Sequence, residues 1–214
     1  MTTDTPIGGR TVTALLEAVA ARQPTPGGGA VAAVTVSLAS ALGEMVLRYR
    51  PRGAGGAGAA DHETLDREAL ETMGRLRASA LALADADARA FEKLSALWKL
   101  DADDPRRRAE WPNVVAGAID APQRILATGL EVLDLLERVR NCVGTNLRSD
   151  LAIAALLARS GAEAAAWNVR VNLPYLGDEG QATLIEQETA RSVARAAALS
   201  DAIEQTCRGS CEAS

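Results

Sequence analysis

Apolar positions recur at intervals of three and four along most of the chain, the period of helices that bury one face. Thr11 to Ala21 carries Val12, Leu15, Leu16 and Val19 on one side and predicts a short first helix. A second helix follows the glycines at 27–29 and runs to about Tyr49, where Pro51 stops it. It consists mostly of small residues, and Ala33, Ser37 and Ala41, four apart, offer one face to a close neighbour. From Glu63 to Leu100 a seam runs through Met73, Leu76, Ala80, Leu83, Asp87, Ala90, Leu94 and Leu97. Trp111-Pro112 predicts the start of a fourth helix, with Val115, Ile119, Pro122, Leu126, Leu133, Leu136 and Val139 on its buried side and a kink at Pro122. Ser149-Asp150, a natural N-cap followed by a first-turn acid, opens a fifth that reaches about Asn172. The last, roughly Gly180 to Cys207, buries Leu184, Val193, Ala196 and Ile203. No stretch sustains the alternation of a half-buried strand. The expectation is an all-α, up-and-down-like bundle of about five long helices plus a short N-terminal helix. It forms one domain over residues 1–214, with 1–10 and 208–214 flexible.

Three places break the pattern. Asp87 stands on an apolar seam, where an ionised carboxylate costs several kcal/mol unless a partner answers it. Asp150, Ala154, Ala158, Gly161, Ala165, Asn168 and Asn172 form one narrow face of small side chains that closes in two amides, and buried amides need hydrogen-bond partners. Pro24 and Pro26 hold the chain extended before Gly27, Gly28 and Gly29, whose bare N–H groups open the second helix. Such a start is either a plain turn or a seat for a carboxylate, phosphate or carbonyl. It matches neither the phosphate-loop spacing nor the dinucleotide fingerprint.

Composition narrows the classes. With 28 acidic against 23 basic residues the net charge is −5, which argues against a general nucleic-acid binder; Arg106-Arg107-Arg108 reads as a solvated loop or helix start. The second helix is long enough to raise the membrane question, but Thr35, Ser37, Ser40, Glu44 and its alanines mark it as bundle core, so no membrane partner is expected. An N-terminus without an apolar core points to the cytoplasm. Three cysteines and one histidine, His62 beside the glycine-rich run Arg52 to Ala60, support neither a metal site nor a disulfide framework.

Four segments together carry a resemblance. Pro24-Thr25-Pro26-Gly27-Gly28-Gly29-Ala30-Val31-Ala32-Ala33, Asp85-Ala86-Asp87-Ala88-Arg89-Ala90-Phe91, Asn146-Leu147-Arg148-Ser149-Asp150 and Asn168-Val169-Arg170-Val171-Asn172-Leu173 follow in that order. With them the chain, from about Leu15 to Cys207, resembles the cyclodeaminase/cyclohydrolase family. That family comprises the cyclodeaminase half of formiminotransferase-cyclodeaminase and the bacterial methenyltetrahydrofolate cyclohydrolases.

The resemblance implies a helical homodimer acting on a tetrahydrofolate derivative without a metal. It implies Asp87 and Asp150 as catalytic residues, one carrying the proton and the other holding the pterin, in an order the sequence leaves open. Gly27, Gly28, Gly29, Ser149, Asn168, Arg170 and Asn172 would bind substrate, Arg170 by meeting a glutamate carboxylate. For a chain without a formiminotransferase domain the expected reaction is hydrolysis of 5,10-methenyltetrahydrofolate to 10-formyltetrahydrofolate. The alternatives are 5-formiminotetrahydrofolate cyclodeamination, diversion of the one-carbon unit to another acceptor, and a folate-binding or scaffold dimer without catalysis. Polar groups kept on packed seams argue against the scaffold.

Overall fold

The computed structural model describes residues 5–49 and 59–208, with side chains in the second stretch from 67 onward. The glycine-rich run up to residue 58 and the side chain of His62 lie outside the described residues. Six α-helices follow in order: α1 (Val12–Ala20), α2 (Gly28–Arg48), α3 (Ala59–Trp98), α4 (Pro105–Val139), α5 (Arg148–Asn172) and α6 (Glu179–Arg208). No strand occurs among the described residues.

Helix α2 lies between α3 and α5, α4 packs on α3 and α5, and α6 covers α5 and α4. Both neighbours run antiparallel to α2. Gly28 lies against Asn168 and Gly161 against Val36, while Gly29 meets Asp87 and Gly43 meets Met73. Small residues let the α2 and α5 backbones approach. A Cβ on Gly161 would stand 2.6 Å from Val36 Cγ2 and 3.0 Å from the Ala32 carbonyl oxygen. Gly161→Ala is therefore expected to cost about 1–3 kcal/mol, as overpacking does, and to lower Tm by roughly 2–4 °C for each kcal/mol. A thermal melt unchanged within a degree would show that the pair relaxes freely.

Length and composition alone would let α2 cross a membrane, yet 61% of its most apolar window is buried inside the bundle. Its one carboxylate, Glu44, is 3% exposed. Arg77 Nε donates to Glu44 Oε1 at 2.6 Å and Arg48 donates to Oε2 at 2.8 Å. Burial pushes the Glu44 carboxyl up, and the two guanidinium groups more than reverse it, leaving it below its ordinary range.

Several boundaries differ from the sequence pattern. Helix α4 begins at Pro105, where Asp104 caps it by accepting from the Arg106 and Arg107 N–H groups, so Trp111-Pro112 lies two turns inside. Ser149 caps nothing: a short 3-10 turn, Thr145–Leu147, leads straight into α5, and the Ser149 side chain is exposed. The close α2 face runs through Ala32 and Val36, and Ala41 is exposed. Helix α1 buries no residue, with Val12 76% and Leu16 63% exposed, and on α6 Leu184 is 66% exposed.

Candidate functional site

The apolar core falls into two clusters. The larger includes Leu83 and Ala84 of α3 and Ala165 of α5; the smaller holds Leu94 of α3, Val169 of α5 and Val115, Ala118 and Ile119 of α4. Asp87, Asn168 and Asn172 occupy the level at which the core is interrupted. A cavity of about 200 Å³ opens there.

Its polar side comes from three helices. Helix α2 starts with Gly27 as a cap that has no side-chain hydrogen bond, and the first backbone bond is Val31 N–H to the Gly27 carbonyl at 3.1 Å. The earlier N–H groups of the first turn are thus free to meet a ligand. The glycines serve space rather than unusual backbone angles: Gly27 has φ −114°, and the only positive φ among the described residues is at Gly177. A Cβ on Gly29 would overlap Oδ1, Oδ2 and Cγ of Asp87, so the carboxylate lies directly on the first turn of α2.

Asp87 has no hydrogen bond or ion pair among the described residues. Burial raises its pKa from 3.8 to about 6. Among the described residues it is the only carboxylate lining the cavity. Asp85, two residues away, points elsewhere and accepts the Ile7 N–H at 2.9 Å, tying the N-terminal segment to α3.

The apolar side is aromatic. Phe91, Trp98 and Tyr175 line the cavity and stand edge to face, with ring centroids 5.9 Å apart for Phe91–Trp98 and 5.4 Å for Trp98–Tyr175. Trp111 extends the row at 6.1 Å from Tyr175, and its indole N–H holds the Tyr175 carbonyl at 3.1 Å. Arg107, from the basic triplet, stacks on Trp111 at 4.7 Å and donates to the Leu100 carbonyl. Four of the six aromatic residues in the chain thus form one cluster. The sequence signal was their scarcity: Trp98 follows Asp87 by eleven residues, three helical turns on the same face.

The structure brings Gly27, Gly28, Gly29, Asp87, Asn168 and Asn172 to one cavity. It does not bring Ser149, Asp150 or Arg170 there. Asp150 lies in the first turn of α5 and Asn168 near its end, about 27 Å along one helix axis. Arg170 Nε is held by both Glu186 oxygens at 3.0 and 3.2 Å, and its guanidinium packs 5.7 Å from the Trp167 ring. No cluster of three or more His, Cys, Asp or Glu suited to a metal occurs among the described residues.

The family profile described as formiminotransferase-cyclodeaminase matches residues 11–207. The chain belongs to this family. Among formiminotransferase-cyclodeaminase relatives, a methenyltetrahydrofolate cyclohydrolase of Methylorubrum extorquens is 30% identical over 205 residues, which cover 94% of this chain and 97% of that protein. A formimidoyltransferase-cyclodeaminase of Sus scrofa is 31% identical over 176 residues, 79% of this chain but only 31% of the longer relative. The fold is similar to that of a formiminotetrahydrofolate cyclodeaminase from Thermotoga maritima, with a TM-score of 0.82 and 25% identity over 95% of this chain and 98% of that one. Like the cyclohydrolase and cyclodeaminase relatives, the chain is an enzyme of this all-helical family.

Proposed function

We propose that the chain hydrolyses 5,10-methenyltetrahydrofolate to 10-formyltetrahydrofolate, with Asp87 as general base. The observation that carries this reading is a single desolvated, unpaired carboxylate facing an aromatic wall. The substrate's N5–C–N10 bridge is an amidinium cation. Aromatic faces and a carboxylate both attract a cation in a site that excludes much of the water. Water adds to the bridge carbon and gives a proton to Asp87. The C–N5 bond of the tetrahedral adduct then breaks, N5 takes the proton back from Asp87, and the second proton of the attacking water leaves to solvent. The formyl group stays on N10. The open N–H groups of Gly28 and Gly29 would stabilise negative charge building on the adduct oxygen.

A cavity of about 200 Å³ has room for roughly six or seven waters, enough for a bicyclic head and too small for a whole folate. The aminobenzoyl-glutamate tail would therefore leave through the opening. The full-length match to a cyclohydrolase favours this reaction.

Cyclodeamination of 5-formiminotetrahydrofolate is the second reading. It is favoured by the likeness to the Thermotoga maritima protein and by an Asp87 pKa of about 6, which lets the same group hand a proton to departing ammonia. The test is the decay of the near-ultraviolet band of methenyltetrahydrofolate in a buffer where spontaneous hydrolysis is slow. Acceleration by the protein is expected. No acceleration, with ammonia released from the formimino substrate, would replace the first reading by the second.

A further inference from the structure

The two asparagines of the cavity are not free to present either end of their amides. Asn172 is 8% exposed, and its Nδ2 donates to the Ala118 carbonyl at 2.9 Å and to the Asn168 carbonyl at 3.0 Å. An amide nitrogen carries two hydrogens, so both are spent, and a flip would strip the buried Ala118 carbonyl of its donor, since the residue four on in α4 is Pro122, which has no N–H. What remains for the cavity is Oδ1, which accepts no hydrogen bond among the described residues. Asn168, one turn earlier, donates from Nδ2 to the Ala164 carbonyl at 3.0 Å and lies over Gly28, with its own Oδ1 likewise unused. Residues four apart on a helix share a face, their Cβ atoms about 5–6 Å from each other. Helix α5 therefore turns a pair of acceptors toward the cavity, and the ligand edge complementary to it carries two N–H donors.

Resting on the folate reading above, we infer that Asn168 and Asn172 read the donor edge of the pterin, its N3–H and 2-amino group, through their two amide oxygens. This orients the bicycle. With the donor edge on α5, the opposite end, where N5 and N10 hold the one-carbon unit, turns toward Asp87 and Gly29 across the cavity, and the ring lies along the aromatic wall. A ligand that lacks the 2-amino donor leaves an acceptor buried and unpaired, the arrangement that discriminates most strongly against a near-isostere.

The test compares tetrahydrofolate with its 2-desamino-2-methyl analogue by titration calorimetry on the whole protein. The wild type is expected to bind the 2-amino ligand about tenfold to hundredfold more tightly, and Asn172→Ala and Asn168→Ala, which remove the acceptor oxygens, to bring the ratio toward one. Asn172 is buried and its replacement can unfold the end of α5. The half-buried variant Asn168→Ala and the ligand comparison on the wild type do not depend on that residue. Equal affinity of the wild type for both ligands overturns the inference, as does a ratio kept intact in folded Asn168→Ala and Asn172→Ala variants. If the wild type binds neither ligand, the folate reading itself fails, an outcome distinct from equal binding.

Discussion

Asp87→Asn is expected to lower kcat/KM for methenyltetrahydrofolate by 10²- to 10⁴-fold, the usual worth of a general base, while making the folded protein more stable at neutral pH. The activity arm follows from protonation. The base works only when ionised, so wild-type kcat/KM should rise about tenfold per unit up to roughly pH 6 and level above it, Asp87 being the only carboxylate among the described residues that lines the cavity. The stability arm has the opposite sign. The folded pKa, about 6, lies above the ordinary 3.8, so the folded state holds this proton more tightly than the unfolded chain. That contribution is fully present below about 3.8 and is lost as pH rises through 6. At pH 7 and above, the ionised, desolvated carboxylate is a penalty of at most about 3 kcal/mol, less whatever water entering the cavity screens. The Asn variant escapes it. Its Tm should exceed the wild type's at pH 7.5, and the gap should close toward pH 4. A variant with full turnover at every pH would remove Asp87 from the chemistry.

Gly29→Ala should be nearly as damaging, without touching any charged group. The added methyl overlaps the Asp87 carboxylate, which must swing off the first turn of α2. A displacement of about 1 Å in a reacting group costs on the order of a hundredfold. The neighbouring glycines supply the control. A Cβ at Gly27 meets only the Pro24 carbonyl at 3.6 Å, and one at Gly28 meets the Asn168 amide at 3.6 Å, both ordinary contacts. Gly27→Ala and Gly28→Ala are expected to keep turnover within a few fold. Equal losses at all three positions would mean that the turn works through its backbone angles rather than through the space it leaves for Asp87.

The seam logic carried most of the way from sequence to site. A carboxylate among Leu83, Ala90 and Leu94 is conspicuous because each helix has one buried stripe, and the stripe of α3 is where the cavity opens. The same reasoning singles out Asn168 and Asn172, which line that cavity. It does not set Asp150 apart from the cavity lining, because periodicity says which side of a helix a residue occupies and nothing of which end of the helix meets the cavity; only the antiparallel packing of α2 on α5 supplies that. For Arg170 the resemblance implies a glutamate carboxylate of the substrate as partner; in the structure a carboxylate on α6, sixteen residues on, holds it. The α4 start is legible in Asp104-Pro105, an N-cap followed by proline at the first helical position, a stronger signal than Trp111-Pro112. The aromatic wall was not legible as a unit. Phe91 and Trp98 come from α3, Trp111 from α4 and Tyr175 from the turn before α6, and only the closed bundle brings them together.

That convergence has a practical consequence. Trp98 lines the cavity and Trp111 is one ring removed from it, whereas Trp167 is 70% exposed and packs on Arg170 outside the lining. Two of the three indoles in the chain therefore report on that site through the protein's intrinsic fluorescence. A ligand absorbing in the near ultraviolet would quench it by energy transfer on arrival and restore it when its chromophore is destroyed. Occupancy and turnover can thus be followed in one cuvette, with no label attached.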